Sequence, residues 1–361
     1  MRILFCGGGT AGHVYPNIAI AETFRRNLPN VKMAYVVTPN GIENELVQLK
    51  KYVVDVVGLK KVFSLKNIEF CKKMIAATRE CKKIINEFRP NIIIGTGGYA
   101  TYPVVLAGYK LGVKTVLHES NLLPGKTIKS LEKRADRIFI NFDESSVYFK
   151  EKEKLVRTGN PIRQRYYTLN KEEARQLLGI SEKHVILCFG GSLGAEKINN
   201  AAIEVVDNFV KHREDAMLIW ATGKRDYDRV KLKLQEMGLW KNKNLRVFDY
   251  IDNMPEILSA SDIVVCRAGA VTISEVALCG KCTVFIPSPN VANNHQFENA
   301  KMLFDKNAAV MLRENEIFRL TDEIKELIEN TQKRKILEKN IRSFALPDAN
   351  KLIFEEILHI L

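Results

Sequence analysis

Residues 3–13 read Ile-Leu-Phe-Cys-Gly-Gly-Gly-Thr-Ala-Gly-His, an apolar run, a glycine-dense turn and then a histidine. A strand that ends in such a turn and continues into a helix presents backbone N–H groups and a helix N-terminus to an anion such as a phosphate. A second turn of this kind, Cys-Phe-Gly-Gly-Ser-Leu-Gly-Ala, stands at 188–195, and two shorter ones are Gly95-Thr-Gly-Gly98 and Arg267-Ala-Gly269. In open α/β sheets ligands bind outside the carboxyl ends of the strands. One glycine turn alone needs no ligand, since glycine also makes tight strand–helix connections. Four such turns with polar neighbours, two in each half, point to an anionic ligand.

The polar neighbours have chemistry of their own. His13, His118, Glu119 and Asn121 fall at strand ends in the first half, and Arg163, Ser192, Glu275 and Gln296 at matching edges of the second. Histidine titrates near neutrality, so His13 is a candidate general base, with Glu119 and His118 as alternates. Without that role, His13 would hydrogen-bond an acceptor or cap its helix. Glu275 lies one turn into a helix opened by Ala270-Val-Thr-Ile-Ser, where a carboxylate could accept from a ribose diol or simply complement the helix dipole. Asn293-Asn-His-Gln296 offers amides suited to sugar hydroxyls. Gly7-x-Gly9-x-x-Gly12 also matches a dinucleotide fingerprint. That site wants an acid after the next strand, whereas the apolar run at 33–37 ends in Thr38-Pro39-Asn40, which counts against NAD.

Alternating strand and helix patterns must hold these groups in place. Strands are expected near 2–6, 33–38, 53–57, 91–95, 114–118 and 136–140, with helices near 16–28, 67–88, 101–111 and 125–133. The stretch 156–163 reads as a turn or inter-domain linker. The pattern restarts with strands near 184–189, 217–222, 245–248, 262–266 and 282–286, and helices near 195–211, 226–237, 271–279 and 295–305. After about 320 the chain is helical and charged, is broken at Leu346-Pro347, and ends in an apolar helix. Such alternation predicts an α/β protein with parallel sheets, and 361 residues suffice for two domains.

Composition narrows the class further. Met1 leads directly into a strand, and no stretch reaches the ~18 apolar residues of a spanning helix, so a cytoplasmic chain that does not cross a membrane is expected. The formal charge of +13 is uneven. Residues 60–89 hold nine Lys/Arg against three Glu, interleaved with Phe63, Leu65, Ile68, Phe70, Met74, Ile75, Ile84, Ile85 and Phe88. That pattern suits an anionic lipid surface, or an ordinary amphipathic helix with a solvated basic face. No nucleic-acid motif accompanies the basic charge. Cys279-Gly-Lys-Cys282 is a lone CxxC, read as packing rather than as a metal or redox site. Asp226-Tyr-Asp228 resembles the acidic pair of metal-dependent sugar-nucleotide transferases, yet it opens a charged helix where acids are expected anyway, so no metal and no cofactor is assigned.

The motifs Gly7-Gly-Gly-Thr-Ala-Gly-His13, Gly95-Thr-Gly-Gly-Tyr99, His118-Glu-Ser-Asn121, Gly159-Asn-Pro-Ile-Arg163, Gly190-Gly-Ser-Leu-Gly-Ala195, Arg267-Ala-Gly-Ala-Val-Thr-Ile-Ser-Glu275 and Asn294-His-Gln296 together closely resemble the MurG family. Those bacterial glycosyltransferases complete lipid II. The resemblance runs in order from residue 3 to about 305. It implies a GT-B fold, two Rossmann-like domains around a cleft: an acceptor- and membrane-facing domain at 1–160, a donor domain at 161–345 and a helix at 346–361 returning to the first. It implies inverting transfer of N-acetylglucosamine from UDP-GlcNAc to the C4 hydroxyl of the muramoyl sugar of lipid I, for peptidoglycan synthesis at the cytoplasmic face of the membrane, with the basic 60–89 segment docking peripherally on anionic lipid. Carried over by motif, Thr10, Ala11, Gly12, Asn121, Arg163, Ser192, Ile251, Ala270, Val271, Thr272, Ile273, Ser274, Glu275 and Gln296 bind the donor, and Gly97, Gly98 and Tyr99 lie on the acceptor or diphosphate side. Ala11 stands where many relatives have glycine, which a negative φ would tolerate. Another GT-B transferase acting on a lipid such as diacylglycerol, or a dinucleotide-binding oxidoreductase, is the alternative.

Overall fold

The computed structural model describes residues 1–56, 66–191, 194–291 and 294–361, with the backbone alone at 66–71. In chain order the elements are β1 (Arg2–Cys6), α1 (Ala11–Asn27), β2 (Lys32–Val37), α2 (Glu43–Leu46), β3 (Lys50–Val53), α3 (Lys66–Phe88), β4 (Ile92–Gly95), α4 (Thr101–Lys110), β5 (Lys114–Glu119), α5 (Lys126–Leu131), β6 (Arg137–Ile140) and β7 (Leu155–Arg157). There follow α6 (Arg165–Thr168), α7 (Lys171–Leu178), β8 (His184–Phe189), α8 (Glu196–Asn208), β9 (Ala216–Ala221), α9 (Tyr227–Glu236), β10 (Leu245–Phe248), α10 (Met254–Ala260), β11 (Ile263–Cys266), α11 (Ala270–Cys279), β12 (Cys282–Phe285), α12 (His295–Asp305), β13 (Val310–Met311), α13 (Leu320–Glu329), α14 (Thr331–Arg342) and α15 (Ala349–Ile360).

The chain forms two compact units, 1–162 with 346–361, and 163–345. Among the described residues the first carries a parallel sheet in the order β3-β2-β1-β4-β5-β6-β7 and the second one in the order β10-β9-β8-β11-β12-β13. Strands buried on both faces must be apolar throughout, and the central runs Ile-Leu-Phe-Cys of β1, Ile-Ile-Ile of β4 and Val-Ile-Leu-Cys-Phe of β8 meet that demand. Each strand order reverses direction once, between β1 and β4 and between β8 and β11. Ligand crevices open at such reversals. The turns at 7–10 and 96–100 flank the first reversal, and Gly190, Gly194 and the 267–269 turn flank the second, so the sheet order itself collects the glycine turns.

Helices cover both faces of each sheet. One face of the first sheet packs Leu4, Ile93 and Leu117 on Cys81, Ile84 and Ile85 of α3. The other packs Ile3, Phe5 and Ile94 on Val14, Ile20 and Phe24 of α1 and on Ile353 and Ile357 of α15. Phe24 and Phe354 meet with ring centroids 4.8 Å apart. In the second unit Trp220 is fully buried, and its indole N–H donates to Asn199 Oδ1 at 3.0 Å.

Three local expectations change. Strand pairing on the sheet edge occurs at Lys50–Val53 rather than 53–57, because the β2 backbone ends its ladder when Val54 N donates to Val37 O (2.9 Å) and Val54 and Val56 then turn into the core. Part of the supposed linker at 156–163 is β7, paired with β6. The short helices α2, α6, α7 and α10 and the strand β13 are additional. For α7 a signal was present: Asn170 and Glu173 form a capping box, with Gly179 as the left-handed C-cap.

Candidate functional site

In the first unit the loop after β1 is fixed from below. Asn17 Nδ2 donates to Cys6 O, Tyr35 Oη and Thr96 Oγ1 at 3.2, 3.0 and 2.9 Å, and Tyr35 donates to Gly7 O at 2.6 Å. Glu43, fully buried, folds back from α2. Its carboxylate accepts from Thr38 N (3.1 Å), Thr38 Oγ1 (2.7 Å) and Gly9 N (3.3 Å). An acid does follow the second strand, therefore, but it is enclosed by the glycine loop and offers nothing to a ribose. Sequence reasoning missed Glu43, Asn17 and Tyr35; the acid was visible six residues past the end of β2, and its direction was not.

His13 is half-buried, with Nδ1 3.1 Å from Gly8 O and 3.3 Å from Thr10 Oγ1. A carbonyl only accepts, so Nδ1 carries the proton in the neutral ring and Nε2 keeps the basic lone pair. Nε2 faces Gly97, whose φ is +102°; a Cβ there would stand 3.0 Å from His13 Cδ2 and 3.1 Å from Nε2. Gly98 approaches Gly8 O so closely that a Cβ would collide with it, which seats the β4 loop against the β1 loop. Thr10 is the N-cap of α1 but makes no capping hydrogen bond, and no acid stands in the first helical turn. The N–H groups at Ala11 and Gly12 thus face outward unsatisfied by the helix. Ala11 is helical, absent from the positive-φ residues, so its methyl group is tolerated.

Further along this unit, Glu119 is buried and accepts from Asn121 N (2.9 Å), Asn121 Nδ2 (3.2 Å) and Gly125 N (2.7 Å). Burial raises its pKa against those three donors. It shapes the 120–125 loop and orients Asn121. His118 is fully buried; burial pulls its pKa down to about 4, and Nε2 lies 3.0 Å from Gly159 O. A neutral ring donating to a carbonyl is structural, so His118 leaves the list of base candidates.

The second unit gathers Arg163, Tyr166 and Glu275. Helix α11 begins at Ala270 after Gly269, with no side-chain cap and no acid in its first turn. Ala270 and Ile273 are buried, and Val271, Thr272, Ser274 and Glu275 are partly buried. Ser274 Oγ donates to Ala270 O at 3.2 Å. Burial pushes the Glu275 carboxyl up to about 7, opposed by the Arg163 charge and a hydrogen bond from Tyr166. Arg163 Nη2 lies 3.3 Å from Tyr166 Oη, with its guanidinium 5.4 Å from that ring's centroid. Ile251 is buried, and Gln296 Oε1 accepts from Ser288 N at 2.9 Å, tying the segment after β12 to α12. Arg267 is anchored by Ile286 O (3.0 Å) and Glu314 (2.5 Å). Ser192 lies outside the described residues. Tyr166 was not foreseen, since a tyrosine three residues past Arg163 carries no motif.

The remaining candidates resolve physically. Burial pushes the Cys279 and Cys282 thiols up to about 11 and about 12, which keeps them protonated and unreactive. Asp226 is bound by Arg229 at 2.5 and 2.8 Å and by Asn199. Within α3, Ala77, Cys81, Ile84 and Ile85 face the core, leaving Ile75 exposed beside exposed Lys72, Arg79 and Lys83. The 57–65 part of the basic segment, with Phe63 and Leu65, lies outside the described residues. No described helix is long and apolar enough to cross a membrane.

Comparison with known proteins adds a family context. Residues 3–140 match the glycosyltransferase family 28 N-terminal domain, and residues 185–353 match its C-terminal domain. The chain is similar to the UDP-N-acetylglucosamine–N-acetylmuramyl-(pentapeptide) pyrophosphoryl-undecaprenol N-acetylglucosamine transferase of Acetivibrio thermocellus, with 36% identity over all of this chain and 98% of that one. Among solved structures it is similar to Acinetobacter baumannii MurG (24% identity, TM-score 0.75, 99% of both chains). It also resembles the UDP-GlcNAc 2-epimerase of Neisseria meningitidis bound to UDP-GlcNAc (14% identity, TM-score 0.68, covering 99% of this chain and 100% of that one).

Proposed function

The chain belongs to glycosyltransferase family 28, and we propose that within it the protein moves N-acetylglucosamine from UDP-GlcNAc to the C4 hydroxyl of the muramoyl sugar of an undecaprenyl-pyrophosphoryl acceptor, lipid I, giving lipid II. The observation that carries this reading is identity over the whole chain to a relative of that name, with glycine turns at the reversal point of both sheets.

The residues divide the work. In the second unit the N-termini of α8 and α11 offer N–H groups to the diphosphate, and Arg163 adds a fixed positive charge. Glu275 accepts the ribose hydroxyls, and Ile251 and Gln296 line the nucleotide and sugar. These groups stabilise the charge that develops on departing UDP without reorganising, which lowers the barrier at the anomeric carbon. In the first unit His13 Nε2 takes the proton of the attacking C4 hydroxyl, held by the Nδ1–H donation to Gly8 O. Single in-line displacement inverts the anomeric configuration. Glu119 acts by orienting Asn121, and Gly97, Gly98 and Tyr99 keep the β4 loop clear for the acceptor. Basic residues of 60–89 hold the enzyme on the cytoplasmic face of an anionic membrane by charge.

The test is UDP release from UDP-GlcNAc with and without a lipid I analogue. Acceptor-dependent release with a new β-linked disaccharide is expected. Release driven instead by diacylglycerol, or none with either acceptor, overturns the assignment.

A further inference from the structure

Tyr166 is only 3% exposed, and its hydroxyl meets Arg163 Nη2 and the Glu275 carboxyl. Burying a phenol without partners is costly, so its position is informative. Its N–H closes a turn on Arg163 O at 3.2 Å, which places α6 directly after the arginine, and α6 packs on α10 and α11. The phenol can donate once and accept from another donor. Arg163 Nη2, at 3.3 Å, can only donate, and it also stacks its guanidinium over the ring. The remaining proton goes to the Glu275 carboxylate. One hydroxyl therefore bridges the cation and the anion that the proposed reaction assigns to the diphosphate and the ribose.

We propose that Tyr166 is a positioning residue for nucleotide binding: its hydroxyl fixes Arg163 and Glu275 relative to each other before the donor arrives. The inference rests on the reading of this unit as the UDP-sugar site. Without the bridge, Arg163 is free to collapse onto Glu275 as an ion pair, neutralising both groups. With it, the guanidinium lies along the ring face and the carboxylate keeps acceptor capacity for a ligand. Preorganisation of this kind shows as affinity, since the ordering is complete before binding.

The ionisation of Glu275 supplies a readout that packing alone does not move. The groups facing it are Arg163 and Tyr166, Cys266 from β11, and Cys279 on its own helix. Arg163 and the Tyr166 hydroxyl favour the carboxylate; burial disfavours it. Removing the hydroxyl leaves burial less opposed, so protonation of Glu275 moves to higher pH.

The experiment is calorimetric titration of the full chain with UDP between pH 5.5 and 8.5, on wild type, Tyr166→Phe, Glu275→Gln and the double variant, with thermal unfolding alongside. For wild type, affinity falls as pH drops through about 7. Tyr166→Phe is expected to bind UDP ~10-fold more weakly at pH 7, in line with loss of a hydrogen bond to a charged group, and to shift the acid limb upward. Glu275→Gln loses that limb, and adding Tyr166→Phe to it costs less than it does in wild type. If wild type does not bind UDP, the site assignment itself fails. If wild type binds while Tyr166→Phe keeps the same affinity and the same limb, Tyr166 does not position the site. Weaker binding with a lowered melting temperature but an unmoved limb assigns it a packing role and overturns the proposal.

Discussion

Glu43→Gln tests whether the glycine loop after β1 is held by a buried carboxylate. The substitution keeps size and shape but replaces one acceptor oxygen by an NH₂ group. In the native arrangement Oε1 takes both Thr38 donors at 3.1 and 2.7 Å, and Oε2 takes Gly9 N at 3.3 Å. The amide can keep its oxygen on Thr38 only by turning its nitrogen towards Gly9 N–H, so two donors then face each other. One charge-assisted hydrogen bond is lost in a fully buried place, which costs about 2 kcal/mol. For a unit of this size that corresponds to a melting shift of roughly 4–8 °C. Gly9 precedes the N-cap of α1, so its displacement also moves Thr10 and the His13 ring bonded to it. Turnover should drop at least ~10-fold. Calorimetry of the whole chain, together with steady-state UDP release, reads both effects. Unchanged melting and unchanged turnover in Glu43→Gln would refute the claim that this acid organises the loop.

Gly97→Ala adds a methyl group 3.1 Å from His13 Nε2 at φ +102°; turnover should fall ~100-fold with UDP affinity intact, and equal turnover would remove His13 Nε2 from the reaction. His118 is held neutral, its pKa drawn down to about 4 by burial from an unfolded value near 6.5. The unfolded chain therefore binds the extra proton first, so this contribution is complete above pH 6.5 and is lost as pH falls towards 4, by about 3 kcal/mol in all. Denaturant unfolding of His118→Gln should show a shallower decline over that window. EDTA should leave most activity in place, because Asp226 is already bound by Arg229, and a steep loss would restore a metal to the reaction. Vesicle sedimentation should show binding to anionic but not neutral lipid, weakened by salt and by Lys72→Glu with Arg79→Glu and Lys83→Glu, at ~1 kcal/mol per charge; equal binding to neutral vesicles would exclude electrostatic docking.

What was legible in the sequence followed from period and punctuation. Fully apolar runs such as 3–6, 92–94 and 185–189, short and closed by glycines, read as central parallel strands, and those glycines mark where the chain must turn at a ligand edge. The strand order was not legible, because parallel pairing depends on which apolar faces meet in space. The short edge strand at Lys50–Val53 escaped because the sequence after it is more apolar, and there Val54 and Val56 serve the core from outside the strand. Side-chain direction was the other blind spot. His118 and Glu119 are adjacent at one strand end and equally suited to chemistry by type. Alternation sends the first to Gly159 O and the second to the 121–125 backbone.

The two acids near glycine turns explain why one unit, and not both, suits a nucleotide. A ribose diol needs a carboxylate with free acceptor positions at the ligand edge. In the first unit Glu43 is turned inward onto Thr38 and Gly9 and is fully buried, so it presents no acceptor to a ligand. In the second unit Glu275 is only partly buried on α11, approached by one hydroxyl and one guanidinium. A dinucleotide enzyme built on the first glycine fingerprint would need Glu43 turned outward, which would strip the loop of the group that holds it. On the proposed reading the same fingerprint therefore serves a different end: its N–H groups and His13 act on the reacting sugars, and nucleotide recognition belongs to the second unit.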